Sequence, residues 1–421
     1  MIAPIIVISL AVVTLQSADP RPQDATAAVL AAFDRYDIVG MNAAHNNERQ
    51  DAFILSLVRQ PAFAQRVNDI VVECGKNSYQ RVLDRYVAGE AVPIEDARQV
   101  WRSTSIRMCA LSGFYQDFFP AIRAVNAGLP PERRLRVLLT EPPVSTPSAD
   151  RDPSITSVVT TEVLAKHRKA LLLCGVGHLL HDETRGTAVT AYETAYPGRT
   201  FVIGTHQGFA AFFDLDRGRE LEARMRSWPA PSLVTLKGTW LADLDLPYFQ
   251  WPFAKRMAGQ SYAHLVDAYL YLGPGQSLTY ERTPDSILED GEYVAELSRR
   301  VGPVDVAGLR QRNQLRALFT ADDIAEARRF APGAEYVGVY EPRAGDDTAA
   351  IEIDFQKGVL AGRQARADAW TPLVQTGDPS RFTLSTPGGT LTLEFEDRGG
   401  SARQLTVGGG PSGPRVTLVR R

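Results

Sequence analysis

The chain has 421 residues, of which 44% are hydrophobic and 23% are charged. Its 46 basic and 49 acidic side chains leave a formal net charge of -3, and no basic stripe with interleaved aromatic residues is present, which argues against nucleic acid as a partner. The composition is typical of a globular protein, and the length exceeds what one hydrophobic core usually fills. We therefore expect at least two domains.

The first residues have the pattern of an export signal. Residues 2–13 are almost all apolar and lead into a polar stretch at 14–19, although no Lys or Arg precedes them and Gln16 stands where a small residue is usual. We expect residues 1–18 to be a signal peptide and the protein to be periplasmic or secreted, or membrane-anchored if the leader is not cleaved. No later stretch approaches the ~20 apolar residues that span a membrane, so no stable span is expected in the mature chain.

The spacing of the three cysteines does not predict a disulfide or a zinc site. Cys74, Cys109 and Cys174 form no CxxC pair and are odd in number. This pattern indicates neither a disulfide framework nor a structural zinc site. We expect buried free thiols, because cysteine packs as a small hydrophobic residue in protein cores.

Strand-like apolar segments alternate with helical patterns through most of the chain. The strand candidates are 37–41, 69–75, 135–140, 170–174, 200–204, 232–236 and 268–272, with helices expected between them, for example at 46–59 and 160–168. This alternation predicts an α/β domain at 26–330, with a doubly wound, mostly parallel sheet and helices on both faces. From residue 331 the period changes, and a hairpin signal spans 382–395, which predicts a small C-terminal antiparallel β-domain at 331–421.

Titratable side chains stand at the ends of the first four strand candidates. His45 follows the first, Glu73 and Glu141 end the second and third, and His178 follows the fourth. Because the carboxyl ends of parallel strands share one edge where α/β folds bind ligands, we expect these groups to converge. His181, three residues after His178, is expected to share a helix face with it. Taken alone, each histidine is more often a solvated or hydrogen-bonded side chain than a functional one.

Other polar residues are interpreted as structural. His167, His206 and His264 belong to this group. Arg102 and Arg107 could meet an anionic group, although for either one alone a position at the surface is expected. The loop that ends at Pro153 has the length of a lid or binding loop. The aromatic segment 240–262 is expected to cover the sheet.

The strand-end groups suit two kinds of chemistry. His45, Glu73 and His178 are candidate ligands for a divalent metal, and the same residues with Glu141 are candidates for a base oriented by an acid. The chain has no GxSxG elbow, HExxH pair, GxGxxG fingerprint or GxxxxGKS/T loop, so the chemistries that depend on those motifs find no support.

Three motifs resemble those of the erythromycin esterase and ChaN-like superfamily, which includes the TIKI and TraB proteins. They are GxxxxH at 40–45, the strand and glutamate Val71-Val72-Glu73, and GxGH at 175–178. The stretches VNDIVVECG, YQRVLDRYVAGE, VWRSTS and LRVLLTEPP resemble an uncharacterised bacterial branch. The resemblance covers about 36–300 and implies an α/β core with paired histidines and a glutamate in one cleft.

The members of that superfamily are esterases that open a macrolide ring, haem-binding lipoproteins and metal-dependent proteases. By resemblance, His45 is the first-motif histidine and candidate general base, Glu73 the second-strand acid and His178 the second histidine. The usual first motif is Gly-Glu-x-His, and here Ala43 stands at the glutamate position. Esterase chemistry then needs another carboxylate, for which Glu48 and Glu141 are the candidates.

The leading hypothesis is an exported hydrolase that acts on an ester or amide of a small molecule, with water activated by the histidine and glutamate site. The alternative is a non-catalytic protein that binds haem or a metal, with His45 and His178 as the cofactor-binding residues. A third hypothesis is a scaffold whose site has decayed. The sequence leaves the cofactor open between none, a divalent metal and haem.

Overall fold

The computed structural model describes residues 18–43, 47–143, 151–183, 186–206, 215–242, 261–314, 334–343, 348–356, 359–365, 367, 369–376, 378, 380–386, 389–397, 402–409 and 415–421. Residues 1–17 of the predicted leader, His45 and residue 330 at the predicted domain boundary lie outside these ranges. Within them, no helix is both long enough and apolar enough to cross a bilayer.

An eight-stranded sheet organises the part of the chain up to residue 314. Its strands are β1 Gln23–Asp24, β2 Ile38–Asn42, β3 Asp69–Lys76, β4 Arg136–Glu141, β5 Ala170–Cys174, β6 Thr200–Thr205, β7 Ser232–Thr235 and β8 Ala268–Tyr271. The spatial order is β1-β7-β8-β6-β2-β5-β3-β4. Strand β7 is antiparallel to β8 and to β1, whereas the other six strands pair in parallel. The prediction of a mixed α/β chain with a largely parallel sheet is confirmed.

The central strands are apolar throughout because both of their faces are buried. In β5, Leu171 and Leu173 pack into one apolar cluster that also contains Phe118, whereas Leu172 points to a second cluster with Val159. Side chains alternate between faces along a strand, so a run of consecutive leucines serves both clusters. This burial holds the strands in register and leaves their ends to the loops.

Fifteen helices are formed by the described residues of this part of the chain. They are α1 Ala25–Ala32, α2 Glu48–Val58, α3 Pro61–Arg66, α4 Gln80–Val87, α5 Ile94–Arg102, α6 Arg107–Ala110, α7 Phe114–Ala127, α8 Arg151–Val158, α9 Val176–Leu179, α10 Ala188–Glu193, α11 Leu215–Met225, α12 Tyr262–Leu265, α13 Asp285–Leu288, α14 Gly291–Val301 and α15 Val306–Arg312. Helix α2 begins where the Asn47 side chain accepts a hydrogen bond from the Gln50 backbone N–H at 3.2 Å. Helix α8 continues through a π turn at Val159–Val163, so the helix predicted at 160–168 starts earlier than expected.

Two expectations about buried residues were wrong. Cys74 and Cys109 form a disulfide with their Cα atoms 5.9 Å apart, and only Cys174 is a free buried thiol. A spacing of 35 residues does not reveal that the end of β3 and helix α6 are neighbours. Arg102, expected at the surface, is 7% exposed, because it bonds Asp290 at 2.9 Å and stacks over the Tyr293 ring.

A separate antiparallel sheet follows near the C-terminus. Its strands are β9 Gly338–Glu341, β10 Ile351–Gln356, β11 Val359–Gln364, β12 Thr371–Pro372, β13 Val374–Gln375, β14 Arg381–Thr386, β15 Gly389–Asp397, β16 Ala402–Gly408 and β17 Arg415–Arg420. The predicted hairpin is confirmed, since Leu384 pairs with Leu391 across β14 and β15. The two edge strands, β12 and β13, are separated only by Leu373, so the sheet nearly closes on itself.

Candidate functional site

Three of the predicted strand-end groups lie along one edge of the first sheet. Glu73 in β3 and Glu141 at the end of β4 are each 3% exposed, and His178 in α9, directly after β5, is 7% exposed. Strands β5, β3 and β4 are parallel neighbours, so their carboxyl ends form a continuous rim. His45 would follow β2 but lies outside the described residues.

The structure brings Glu73 and His178 together. Glu73 Oε1 forms an ion pair with Arg151 and lies 3.6 Å from His178 Nε2, and Glu73 Oε2 accepts the backbone N–H of Gly175 at 2.6 Å. A Cβ atom on residue 175 would lie 3.2 Å from Glu73 Oε2, so glycine there permits this close approach. The first glycine of the GxGH motif thus places the carboxylate beside the histidine.

His178 is held as an imidazolium by a second carboxylate. Its Nδ1 lies 2.8 Å from Asp152 Oδ1, which also accepts the backbone N–H of Ala188. Burial alone would lower the pKa of His178, but the interactions with Asp152 and Glu73 outweigh it and raise the pKa from 6.5 to about 9. At neutral pH, His178 is therefore an acid and not a base.

Glu73, Arg151, Asp152 and His178 form a charge network of two anions and two cations. The Arg151 and Asp152 side chains are 16% and 13% exposed, so the network is largely shielded from water. Sequence reasoning missed both residues, because it placed them in a proline-rich loop. They form the first turn of α8, and the signal available was Asp152 followed by Pro153, a pair common at helix starts.

Glu141 occupies a neighbouring but different hydrogen-bond network. Its oxygens accept bonds from Thr104 Oγ1 at 2.5 Å, from the backbone N–H and Oγ of Ser105 at 2.7 Å each, and from the backbone N–H of Gly75 at 3.3 Å. These donors fix the turn between α5 and α6 to the end of β4. The structure thus gives Glu141 an anchoring role, with His178 not among these partners.

The expectation that His181 shares a helix face with His178 was wrong. Helix α9 ends at Leu179, and His181 Nε2 lies 3.0 Å from Asp267 Oδ2 while its Nδ1 lies 3.6 Å from Glu193 Oε2. Burial would lower the pKa of His181, but these two carboxylates raise it to about 9. His181 also borders a surface cavity of about 480 Å³. It is a second charged histidine with different partners.

His206 is fully buried at the end of β6. Its Nδ1 lies 2.5 Å from the Tyr269 hydroxyl, and its Nε2 lies 3.0 Å from Glu222 Oε1. Glu222 also accepts the backbone N–H of Gly275 at 3.0 Å. These bonds join β6, β8 and α11, in keeping with the structural interpretation of this histidine.

The described residues do not fit a metal centre. No group of three or more His, Cys, Asp or Glu side chains among them is placed to hold a metal ion. Glu73, the candidate carboxylate ligand, already binds Arg151 and the Gly175 N–H. Burial, followed by the charges of Glu73 and Asp152, raises the pKa of the Cys174 thiol well above its usual range, so this thiol is unreactive.

No family model matches the chain, and no curated protein does. Among solved structures, the chain is similar to a Bacillus cereus protein at 12% identity and a TM-score of 0.42, over 64% of this chain and 97% of that one. It is also similar to the type III effector HopBA1 at 12% identity and a TM-score of 0.33, over 45% of this chain and 88% of that one. A third similar structure is ChaN of Campylobacter jejuni, described with cofacial haem, at 10% identity and a TM-score of 0.27, over 43% of this chain and 86% of that one. At this distance, the function has to be argued from the site.

Proposed function

We propose that this protein is an exported hydrolase that cleaves an ester or amide of a small molecule at the rim formed by β2, β5, β3 and β4. One observation carries the proposal: the His178 ring lies between Asp152 and Glu73, which raise its pKa, at the carboxyl edge of a parallel sheet. This edge is where α/β folds bring together binding and catalytic groups.

The two ring nitrogens of His178 differ in a way that suits a general acid. Nδ1 is bonded to Asp152 at 2.8 Å, whereas Nε2 lies 3.6 Å from Glu73, which is too far for a full hydrogen bond. The Nε2 proton is thus the one that a leaving group can take. The water that attacks the carbonyl carbon would lose its proton to the base, for which His45 is the candidate.

Asp152 is a candidate replacement for the glutamate that is missing at Ala43 in the first motif. The carboxylate missing from the first motif is expected to orient or charge the site, and Asp152 supplies a carboxylate in contact with His178. Asp152 stands before a proline at the start of α8, far from the first motif along the chain. Hydrolysis at this site therefore does not require the first-motif glutamate.

Binding of haem or a metal remains the alternative function. It needs a neutral imidazole, so binding at His178 would release the proton that Asp152 and Glu73 favour on its ring. The alternative expects a Soret band on titration with haemin that shifts or disappears in His178→Ala. If haemin gives no Soret band with the wild type or with His178→Ala, haem binding is excluded.

We also propose export and a doubly wound arrangement of the α/β domain. The disulfide between Cys74 and Cys109 supports export, because such bonds persist in oxidising compartments. Thiol labelling of the denatured protein from its native host should then find Cys174 as the one reactive cysteine. The two apolar clusters on opposite faces of β5 support the doubly wound arrangement.

The proposal is tested by comparing two histidines of equal charge. On a panel of p-nitrophenyl esters and amides, His178→Gln should lower turnover by about 100-fold, the usual contribution of a general acid. His181→Gln is the matched control, since it also removes an imidazolium held by two carboxylates. Equal turnover in the wild type and in His178→Gln, with both proteins folded, would refute the proposed acid.

A further inference from the structure

The first turns of α2 carry an unusual set of buried polar atoms. Asn47 Nδ2, Gln50 Nε2, Gln50 Oε1 and Asp51 Oδ2 are all buried without a hydrogen-bond partner, and the Asn47 and Gln50 side chains are fully shielded from solvent. Asn47 is the N-cap of α2, and its Oδ1 accepts the backbone N–H of Gln50 at 3.2 Å, so these side chains belong to the same end of the helix. Buried polar groups are normally satisfied, and a cluster that is not indicates a missing ligand or water.

Carboxylates surround this face. Glu281 accepts hydrogen bonds from Ser112 Oγ and, at 2.9 Å, from the backbone N–H of Phe114. Glu48 accepts one from Thr279 Oγ1 at 2.6 Å. The charges of Glu281 and Glu48 act on Asp51, whose pKa is raised well above its usual range, first by burial and then by these two neighbours. We call Asn47, Gln50, Asp51 and Glu281 the acidic chamber.

The charges of the acidic chamber and of Glu73 both act on Tyr115. Tyr115 is 2% exposed, and its pKa is raised well above the usual range by burial and then by charges that include Glu73, Glu281 and Asp51. The carboxylates of both sites are therefore within electrostatic range of one phenol.

Positive charge is scarce around the chamber. Over the described part of the chain, Glu48, Asp51 and Glu281 form no ion pair with a basic side chain. The nearest guanidinium along α2, that of Arg49, donates instead to the carbonyl oxygens of Ser277 and Leu272. An anionic ligand would add negative charge beside Glu281 and Glu48, whereas a cation would favour the ionised form of Asp51.

We propose that the acidic chamber binds an ammonium group of the substrate, next to a hydroxyl or carbonyl oxygen of the same molecule. This inference rests on the proposed hydrolase function, because only a hydrolase would make the bound amine a substrate. It adds the chemical class of that substrate, which is an amine. Asp51 Oδ2 and Gln50 Oε1 accept the N–H bonds of the ammonium, and Asn47 Nδ2 and Gln50 Nε2 donate to the neighbouring oxygen. Four unsatisfied atoms are then satisfied by one ligand.

The test is a direct binding measurement that needs no turnover. Calorimetric titration of the full chain with phenylethanolamine and with phenylethylene glycol compares an ammonium with a hydroxyl on the same skeleton. The wild type should bind the amine at least tenfold more tightly than the glycol, and Asp51→Asn should abolish this preference. Asn matches the uncharged form of the aspartate, so this variant is expected to fold.

Asp96→Asn is the matched control, because Asp96 lies in the first turn of α5 and is solvent-exposed. It should retain the full preference for the amine. Equal binding of the two ligands by the wild type, or a preference that survives Asp51→Asn, would overturn the acidic chamber as an ammonium site. A preference for the amine in a protein without ester or amide turnover would leave the chamber standing and reject the hydrolase.

Discussion

The two ends of β3 carry buried carboxylates that are used in different ways. At the amino end, Asp69 is fully buried and binds Arg168 through both oxygens, at 2.6 and 2.8 Å. At the carboxyl end, Glu73 divides its oxygens between Arg151, the Gly175 N–H and His178. The first arrangement is a bidentate pair, and the second includes a titratable group.

The difference shows that burial and an arginine partner do not by themselves mark a functional carboxylate. A bidentate guanidinium satisfies Asp69 in a fixed geometry. The contacts of Glu73 are spread over three elements that meet at the carboxyl edge, and His178 among them is a titratable group. Position relative to the sheet, together with the kind of partner, separates a structural ion pair from a candidate site.

The strongest test of the difference between Asp69 and Glu73 is to neutralise each carboxylate in turn. Glu73→Gln should lower the free energy of unfolding by about 3 kcal/mol, because it leaves the Arg151 charge buried without this counter-charge and removes one of the two carboxylates beside His178. Asp69→Asn should cost about 2 kcal/mol, because Arg168 is more exposed than Arg151, at 31% against 16%. Urea denaturation measures both values.

Turnover should separate the two variants more clearly than stability does. Glu73→Gln is expected to lower ester or amide turnover by about 100-fold, whereas Asp69→Asn, assayed well below its unfolding midpoint, should keep it. Loss of turnover in Asp69→Asn as well would mean that the two ends of β3 do not differ in function.

The pH dependence of thermal stability tests the raised pKa values of His178 and His181. The pKa of His178 is about 9 in the folded protein and 6.5 is its ordinary value, so its contribution is fully present below about pH 6.5 and is lost as the pH rises towards 9. His181 behaves in the same way. Melting curves from about pH 6 to about pH 10 should show a decline that either single His→Gln variant reduces and the double variant reduces further. An unchanged decline in the double variant would contradict the raised pKa values.

The smallest effect is expected at Glu141. Ser105→Ala removes the Oγ hydrogen bond to this carboxylate but keeps the one from the backbone N–H. The free energy of unfolding should fall by about 1–2 kcal/mol, with turnover unchanged, if Glu141 is an anchor. A tenfold loss of turnover at unchanged stability would instead return Glu141 to the list of catalytic candidates.

Local pattern determined a large part of the first sheet and one hairpin of the second. Apolar runs with turn residues at their ends predicted β2, β3, β4, β5 and β6 to within one or two residues. The same pattern placed Glu73 and His178 at strand ends, and the parallel pairing then brought them together. These features follow from the sequence because strand periodicity and turn chemistry act over a few neighbouring residues.

The partners of these side chains were decided by the tertiary structure. Arg151 and Asp152 reach the site only because α8 begins at Arg151 and packs against β4, and the disulfide forms only because β3 and α6 are adjacent. The pKa of His178 and the unsatisfied face of α2 depend on burial and on charges from distant parts of the chain. Such contacts are set by how the elements pack, and spacing along the sequence carries no record of that packing.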